Sequence, residues 1–500
     1  MSVVDRKDSG AGEWQLGYRL MATTPVQSQP VEFVRAISRL DATALVVGSM
    51  IGSGIFIVSA DILRQVHSPG LLLVVWLLSG VVTLFGALTY GELAAMYPRA
   101  GGNYIYLREG ISPLFGYLYG WTLFVVIQTG TIAAVAVAFA RFTSVLWPGL
   151  SPEVLPGLGT TLHLPQPIGD IAVGISPQRI FAIASIVLLT WVNVRGVRTA
   201  AFIQTTLTAI KTASLAALIL LGITIGRNAE AIAANWGANF WAGGALTLAV
   251  LPVIGAAMVG SLFSMDAWNN VGFASGELKN PEKDVPFAMG AGVLIVTTLY
   301  VLANVSYLVV LPQDAIAHAP QDRVGTAALQ AMFGAPGLYI MAIAIMISTF
   351  GCNNGLILSG ARVYYAMAKD NLFFKSAANL HPTFKTPALA LIVQAIWTCV
   401  LCLSGTYGQL LNFVIFAAVV FYTITAIGLF RLRKTRPDIP RPVKAPGYPV
   451  LPALYVALTA LIAVDLLVQG STRTYAFLGL ILVLLGVPVY FGWRRYVKPA

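Results

Sequence analysis

Charged residues are scarce in this chain, and so are cysteines. Asp, Glu, Lys and Arg make up only 10% of its 500 residues, whereas about 25% is usual for a soluble domain. The three cysteines, Cys352, Cys399 and Cys402, all lie in apolar segments, which excludes an extracellular disulfide framework and a zinc-ligand pattern. Apolar residues, by contrast, account for 57% of the sequence. This composition indicates a polytopic membrane protein.

The excess of basic residues has a topological explanation. Lys and Arg number 31 against 20 Asp and Glu, and the formal net charge is +11. The charges lie in short loops between apolar segments, which favours membrane topology over nucleic-acid binding. The first 40 residues are polar and lack the apolar core of a cleaved signal peptide, so we expect residues 1–40 to form a flexible cytoplasmic tail. No nucleic acid, metal or cofactor is expected as a partner.

Twelve segments are long and apolar enough to cross a bilayer, which takes about 20 mostly apolar residues. Most basic residues fall in the loops on the same side as the N-terminus, and this asymmetry predicts that both termini are cytoplasmic. One miscounted span would destroy the asymmetry, so it also supports the count. The predicted spans cover residues 42–62, 70–96, 114–146, 178–194, 200–225, 245–275, 287–311, 338–367, 387–403, 410–429, 451–468 and 475–491.

The first span contains an unusual run of small residues. Residues 48–56 read Gly-Ser-Met-Ile-Gly-Ser-Gly-Ile-Phe, and glycine and serine are poor formers of a continuous helix. A break in lipid frees backbone groups that cost several kcal/mol unless something satisfies them, so it indicates a site. The N–H groups that open the second half-helix attract an anion such as a carboxylate, and the carbonyls that end the first attract an ammonium. A molecule that carries both charges is an amino acid.

A second break is predicted in the sixth span. Residues 263–270 read Phe-Ser-Met-Asp-Ala-Trp-Asn-Asn, and an aspartate with two asparagines in mid-membrane is costly without a function. Breaks in spans one and six predict two inverted five-helix repeats with the substrate at their interface. The predicted organisation is a first repeat over residues 41–225, a second over 245–433, two further helices over 449–493 and a cytoplasmic tail over 494–500.

Four motifs in this order resemble the amino acid–polyamine–organocation superfamily, and more narrowly the L-type amino acid transporter family. The resemblance covers about residues 41–436 and is closest to a prokaryotic-type member without a heavy chain. It implies an all-helical fold with broken first and sixth helices, in the plasma (inner) membrane. The motifs are the run at 48–56, Tyr-Pro-Arg-Ala-Gly-Gly at 97–102, the second break followed by Gly-Glu-Leu-Lys-Asn-Pro at 276–281, and Ser-Gly-Ala-Arg at 359–362 followed by His-Pro at 381–382.

The resemblance implies a substrate site built from the two breaks. The carboxylate would be bound at Ser53 and Gly54, and the amino group by backbone carbonyls of Met50, Phe263 and Asp266. Phe263 matches the family's aromatic gate over the substrate. Close helix packing is the alternative role for the glycines, and a core position is the alternative for Phe263. The implied substrate-binding residues are Met50, Ile51, Gly52, Ser53, Gly54, Phe263, Ser264 and Asp266.

Asp266 has two interpretations. Its carboxylate can face the pocket and favour cationic or polar substrate side chains, or it can cap the second half of span six. The helix-dipole argument favours the cap. In span ten, residues 416–420 read Phe-Ala-Ala-Val-Val, where several members of the family carry bulky or polar residues. This difference implies an apolar side-chain pocket and neutral substrates.

Lys211 lies in the middle of span five. A buried ammonium needs acceptors or loses its proton, and Lys211 is too far from either end of its span to snorkel. In the family that the chain resembles, a lysine here takes the place of a sodium ion and ties span one to span eight. The expected partners are carbonyls near Gly48 and the hydroxyls of Ser348 or Thr349. A role as a proton carrier stays open.

Charged residues near the cytoplasmic ends of the spans are candidates for an inner gate, although ordinary solvation explains any one of them equally well. No cysteine precedes Cys352, so a disulfide to a glycoprotein heavy chain in the loop after span three is excluded, and a monomer or weak homodimer is expected. The candidate gate residues are Glu92, Arg99, Arg108, Glu277, Lys279 and Arg362.

The predicted function is secondary transport by alternating access, as sodium-independent exchange (antiport) of neutral amino acids. The bilayer and the amino acid are the expected partners. Alternatives are a proton-coupled symporter, an exchanger of cationic amino acids or polyamines, and a sensor that binds amino acids without transport. An enzyme is not expected, because the intramembrane ionisable residues form neither a metal cluster nor a nucleophile–base pair.

Overall fold

The structure is a computed structural model that describes residues 33–163, 170–237, 240–241, 250–404, 407–468 and 473–496. Three predicted segments extend beyond these residues. Residues 1–32 of the predicted N-terminal tail, 245–249 of the sixth predicted span and 497–500 of the C-terminal tail lie outside the description. Within it, the chain is almost entirely helical, with one antiparallel pair of strands, β1 (Gly159–His163) and β2 (Asp170–Gly174).

Several long helices begin in the same way. Ser68, Ser112 and Ser176 each precede a proline, and each serine hydroxyl accepts a hydrogen bond from the backbone N–H three residues on. A serine N-cap followed by proline at the first helical position is a strong start signal. The helices before residue 225 are α1 (Arg39–Met50), α2 (Gly54–Val66), α3 (Pro69–Met96), α4 (Asn103–Gly110), α5 (Pro113–Thr122), α6 (Gln128–Leu146), α7 (Pro177–Val194) and α8 (Val197–Thr224), with a π-helical segment Leu123–Ile127 between α5 and α6.

The second half of the chain is also helical. Three short 3₁₀ segments, Ser275–Glu277, Pro320–Asp322 and Lys375–Ala378, lie in its connections. The α-helices are α9 (Ala229–Trp236), α10 (Leu251–Ser264), α11 (Asn270–Phe273), α12 (Pro281–Val310), α13 (Gln313–Ala317), α14 (Val324–Phe333), α15 (Ala335–Lys369), α16 (Ala388–Ser404), α17 (Tyr407–Thr435), α18 (Val450–Val468) and α19 (Arg473–Tyr496).

Every predicted span contains a helix. Among the described residues, nine helices are long and apolar enough to cross a membrane, when α5, the π-helical segment and α6 are counted as one helix. The pair α1 and α2, bent by 40° at their break, makes a tenth span. The helices α10 and α16, in the sixth and ninth predicted spans, are shorter apolar helices. Large apolar side chains such as Phe202 and Leu461 are exposed on the outside of the helices, as a lipid-facing surface requires. The chain is therefore a polytopic helical membrane protein, while the count of twelve and the inverted repeat stay predictions.

The broken helices lie at the centre of the packing. The half-helix α2 packs against α10, and α1 packs against α8, α12 and α15. The whole run from Leu45 to Ala60 is buried. The first break is thus surrounded by protein on all sides in the described part of the chain, and its freed backbone groups must find partners there or in a ligand.

Candidate functional site

The first break separates α1 from α2 at Ile51–Ser53. A capping box of Ser38 and Asp41 starts α1, and the helix ends at Met50 because the glycines that follow do not sustain it. Within the break, the N–H of Gly52 donates to the carbonyl of Met50 at 2.9 Å. Since the first N–H groups of any helix lack partners inside the helix, α2 presents backbone donors at the break.

The second break follows α10, which ends at Ser264. Residues 265–269 form turns, and Ala267 has φ of 67°, a strained conformation for a residue with a side chain. The side-chain amides of Asn269 and Asn270 are buried, and three of their four polar atoms have no hydrogen-bond partner among the described residues. Unpaired polar groups and backbone strain in mid-membrane are typical of a functional site.

The two breaks touch each other. A Cβ on Gly54 would lie 2.7 Å from the Cβ and 3.1 Å from the Cα of Ser264 and would overlap its hydroxyl. From α12, the hydroxyl of Tyr300 lies 2.9 Å from the carbonyl oxygen of Met50 and 3.2 Å from that of Ser264. One phenol therefore contacts the last carbonyls of α1 and α10. Phe263, the predicted gate, is buried one residue before the end of α10.

Asp266 faces α17 rather than the following helix. The hydroxyl of Tyr422 donates to its Oδ1 at 2.5 Å, and α11 has Asn269 at its N-cap without a side-chain hydrogen bond. The cap favoured by the sequence argument is therefore not formed, because a tertiary partner occupies the carboxylate. Asp266 lines a narrow cavity of about 30 Å³ together with side chains from α3, α17 and α18, among them Thr83, Ala418, Val419, Tyr422 and Tyr455.

Lys211 is buried against the first break, with 1% of its surface exposed. Its ammonium donates to the carbonyl oxygen of Gly48, to that of Ile51 at 2.8 Å and to that of Ser348 at 3.3 Å. An ammonium has three donors and no acceptor, so these three carbonyls match its full capacity. The contact with Gly48 agrees with what the family resemblance implied, and the lysine joins α8 to α1 and α15.

The predicted contact of Lys211 with a hydroxyl of α15 is wrong in detail. The hydroxyl of Ser348 donates to Ile51 at 3.1 Å and lies 3.3 Å from the carbonyl oxygen of Gly52, and that of Thr349 bonds carbonyls of its own helix. The lysine uses the main-chain carbonyl of Ser348 instead. The freed carbonyls of the break therefore receive two kinds of donor, an ammonium from α8 and a hydroxyl from α15.

Two buried carboxylates hold one end of the helices together. Glu277 and Arg362 form a bidentate pair, with both N–O distances 2.9 Å, and both side chains are at most 1% exposed. Glu92 accepts from Arg433 at 2.9 and 2.5 Å and lies 3.2 Å from Nε of Arg441. Of the other candidate gate residues, Arg108 pairs with Glu109 and Asp370. Within the described part of the chain, Arg99 and Lys279 form no ion pair.

At the opposite end, arginines surround one turn. Arg64, in the last turn of α2, pairs with Asp322 at 2.8 Å, while Arg141 of α6 donates to the carbonyl of Gln321. Gln321 and Asp322 have φ of 54° and 59°, so the turn is strained. Burial, together with the neighbouring Arg141, lowers the pKa of Arg323 to about 10. The turn ties α2 to α6.

Broken membrane helices that meet at mid-membrane, with ion pairs at both ends, define a class of protein, the helical membrane carriers with a discontinuous-helix site. The sequence model of a family described as amino acid permease matches residues 37–488. The chain belongs to this amino acid permease family. The family confirms the predicted superfamily membership and the prediction that the chain is a transporter rather than an enzyme.

Individual relatives cover nearly the whole chain. The serine/threonine exchanger SteT of Bacillus subtilis (strain 168) is 30% identical over 92% of this chain and 97% of its own length. The large neutral amino acids transporter small subunit 2 of Homo sapiens is 32% identical over 92% of this chain and 81% of its own length. The Asc-type amino acid transporter 1 of Mus musculus is 30% identical over 94% of this chain and 84% of its own length.

Two residues near the site were missed by the sequence reasoning. Tyr300 touches both breaks, and Tyr422 pairs with Asp266. Both are tyrosines in long apolar helices, where an aromatic ring needs no special explanation. The sequence did contain one signal for them. The backbone carbonyls freed at the breaks need buried hydrogen-bond donors, which neighbouring helices must supply.

Proposed function

We propose that the chain is a sodium-independent exchanger of neutral amino acids that works by alternating access. The observation that carries the proposal is the contact of the two breaks, Gly54 against Ser264, beside the ammonium of Lys211. The names of three relatives support it, since they describe an exchanger of serine and threonine, a transporter of large neutral amino acids and an amino acid transporter.

The substrate lies between the breaks in this proposal. Its carboxylate accepts from the N–H groups that open α2 and from Ser53, where the helix dipole also favours an anion. Its amino group donates to carbonyls at Phe263 and Asp266. The carbonyl of Met50, the third predicted acceptor, already accepts from Tyr300 and from the N–H of Gly52, both at 2.9 Å, so we assign it a smaller share. The carbonyl of Phe263 accepts from the N–H of Asp266 at 3.1 Å, so the amino group would bind at the second lone pair of that oxygen. Ile51, Gly52, Gly54 and Ser264 shape the site, and Phe263 closes over the substrate.

Lys211 supplies a fixed positive charge in this mechanism. It donates to Gly48, Ile51 and Ser348, and a sodium ion at the same place would need similar oxygen ligands. A covalently attached cation fills that place without an ion gradient. This arrangement supports transport that does not depend on sodium.

The ion pairs act as gates in the proposal. Opening toward one side separates Glu277 on the 3₁₀ segment from Arg362 on α15, and opening toward the other separates Arg64 from the turn at Asp322. Because substrate must be released on both sides, the closed states at the two ends need similar stability. We place the chain in the plasma membrane with both termini and the Glu277 end in the cytoplasm, and it works without a disulfide-linked heavy chain, as a monomer or weak homodimer.

Glu277→Gln is expected to favour opening at the Glu277 end. The change leaves the Arg362 guanidinium buried without a counter-charge, which costs the closed state about 3–5 kcal/mol. Hydrogen–deuterium exchange should therefore rise in the backbone of residues 270–281. The control is Glu109→Gln, whose pair with Arg108 is partly exposed and worth less than about 1 kcal/mol. If the protection of residues 270–281 from exchange were unchanged in Glu277→Gln, the Glu277–Arg362 pair would not be part of the gate.

Uptake into proteoliposomes tests the function. Purified protein is reconstituted into vesicles loaded with unlabelled serine or leucine and into empty vesicles, and labelled amino acid is added outside with or without sodium and an inward proton gradient. The proposal predicts uptake only with internal substrate, indifferent to both gradients. Uptake into empty vesicles driven by protons would contradict it and favour a symporter.

A further inference from the structure

The face of α8 that carries Lys211 continues as a polar stripe. Gln204, Thr208 and Lys211 are spaced by four and three residues, which places them on one side of a helix, and each is at least 95% buried. Thr208 donates to the carbonyl of Ala44 at 3.1 Å. A helix in lipid gains nothing from polar side chains on a buried face unless they have partners or a function.

The stripe extends into two further helices. From α15, Asn354 donates to Oε1 of Gln204 at 3.0 Å, and from α7, Asn193 donates to Oδ1 of Asn354 at 3.0 Å. Asn193 is the residue before Val194, the last of α7, and the carbonyl of Val194 accepts from Thr386 in the connection before α16. The polar side chains therefore run from mid-membrane to the same end of the helices as the Glu277–Arg362 pair.

Several polar atoms along this line are unsatisfied. Oγ of Ser49, Nε2 of Gln204 and Oδ1 of Asn193 are buried, and none has a hydrogen-bond partner among the described residues. An unmade hydrogen bond at such a depth costs on the order of 1–3 kcal/mol. Three of them in one interface are therefore a sign of ordered water, which typically bridges two to four polar groups.

Glycines leave the space that these groups occupy. A Cβ on Gly355 would lie 2.9 Å from Nε2 of Gln204 and closer still to Oγ of Ser49, and a Cβ on Gly48 would overlap Gln204 and Thr208. The hydroxyl of Ser49 and the amide of Gln204 thus surround one point between α1, α8 and α15. One donor and one hydroxyl without partners around the same point are a suitable pair of ligands for a water molecule.

We propose that Ser49, Gln204 and Asn193 bind a file of ordered water molecules that runs from beside Lys211 to the cytoplasmic side. The file is separate from the substrate site, since it lies on the side of α1 that faces α8 and α15. It reaches the neighbourhood of Lys211 from one side of the membrane alone, and the three carbonyl partners of the ammonium stay in place. The end at which the file opens is marked by Glu277 and Arg362, and its assignment to the cytoplasm rests on the proposed orientation.

Silver ions test this proposal, because Ag⁺ reacts with thiols and follows water but not lipid. Gln204→Cys is made in a chain whose three native cysteines are replaced by alanine, in chloride-free membrane vesicles of each orientation. Phe202→Cys, two residues away at nearly the same depth but 71% exposed on the lipid-facing side of α8, is the matched control. Mass spectrometry measures the fraction of the cysteine that Ag⁺ has protected from later alkylation, so the readout does not require transport.

We expect Ag⁺ to protect Gln204→Cys at least about tenfold faster when it is added on the side of the Glu277 end than when it is added on the other side. Phe202→Cys should stay unprotected with Ag⁺ on either side. Asn193→Cys, nearer the end of the file, should react faster still, and it replaces Gln204→Cys if that variant does not fold. Equal rates from both sides, or no protection at either position, would overturn the water file. Neither result bears on whether the chain exchanges amino acids, which the uptake assay decides.

Discussion

Lys211→Met is expected to reduce amino acid exchange by on the order of 100-fold or more while the protein still folds. Methionine has a similar length and no charge. The carbonyls of Gly48, Ile51 and Ser348 then lose the one charged donor that they share. The first break would then be held against α15 by neutral donors alone, such as the hydroxyl of Ser348 at Ile51. The initial rate of exchange in proteoliposomes measures the effect, and size-exclusion chromatography checks that the variant is folded.

The matched control is Lys283→Met, which removes an exposed lysine in the first turn of α12. It changes the net charge by the same amount and should leave exchange within about twofold of the parent, as is usual for surface substitutions. If Lys211→Met also kept its rate within that range, the fixed cation would have no part in transport.

Gly54→Ala is expected to raise the KM for amino acids by about 10- to 100-fold, since overpacking costs about 1–3 kcal/mol. The new Cβ would lie 3.1 Å from the Cα of Ser264. The backbone of the second break cannot yield as the end of a flexible side chain would. The two breaks must move apart, and a substrate that bridges them loses contacts with one or the other.

The control is Gly290→Ala, which makes the same substitution at a glycine of a membrane helix away from the site. A Cβ there would meet only Cδ2 of Leu88, at the ordinary contact distance of 3.7 Å. Alanine is also the better helix former by about 1 kcal/mol, so KM should not change. An unaltered KM in Gly54→Ala would show that the contact of the breaks is ordinary helix packing, the alternative that the sequence left open.

The breaks were predictable because they violate local rules. Glycine and serine at 48–54, and aspartate with asparagine at 266–270, contradict what a membrane helix requires, and α1 ends at Met50 and α10 at Ser264 as these runs indicate. Lys211 was predictable for the same reason, since a charge at mid-span demands acceptors. Such violations can be seen in the sequence without any knowledge of which helices are neighbours.

The partners of these groups were less predictable. Tyr300 reaches the carbonyl of Met50 from 250 residues further along the chain, and Tyr422 reaches Asp266 across 156 residues. The cap predicted for Asp266 followed from the local helix dipole, and a hydroxyl from α17 prevailed over that weaker effect. Which donor satisfies a buried group depends on packing between distant segments, and a single sequence does not state it.

A cryo-electron microscopy structure of the protein with a bound neutral amino acid tests the central claim most directly. The proposed site predicts the substrate carboxylate about 3 Å from the N–H groups that open α2 at Gly54 and from the hydroxyl of Ser53. Its amino group should point to the carbonyls at Phe263 and Asp266. An amino acid bound instead in the cavity between Asp266, Tyr422 and Tyr455, with its carboxylate away from α2, would contradict the account.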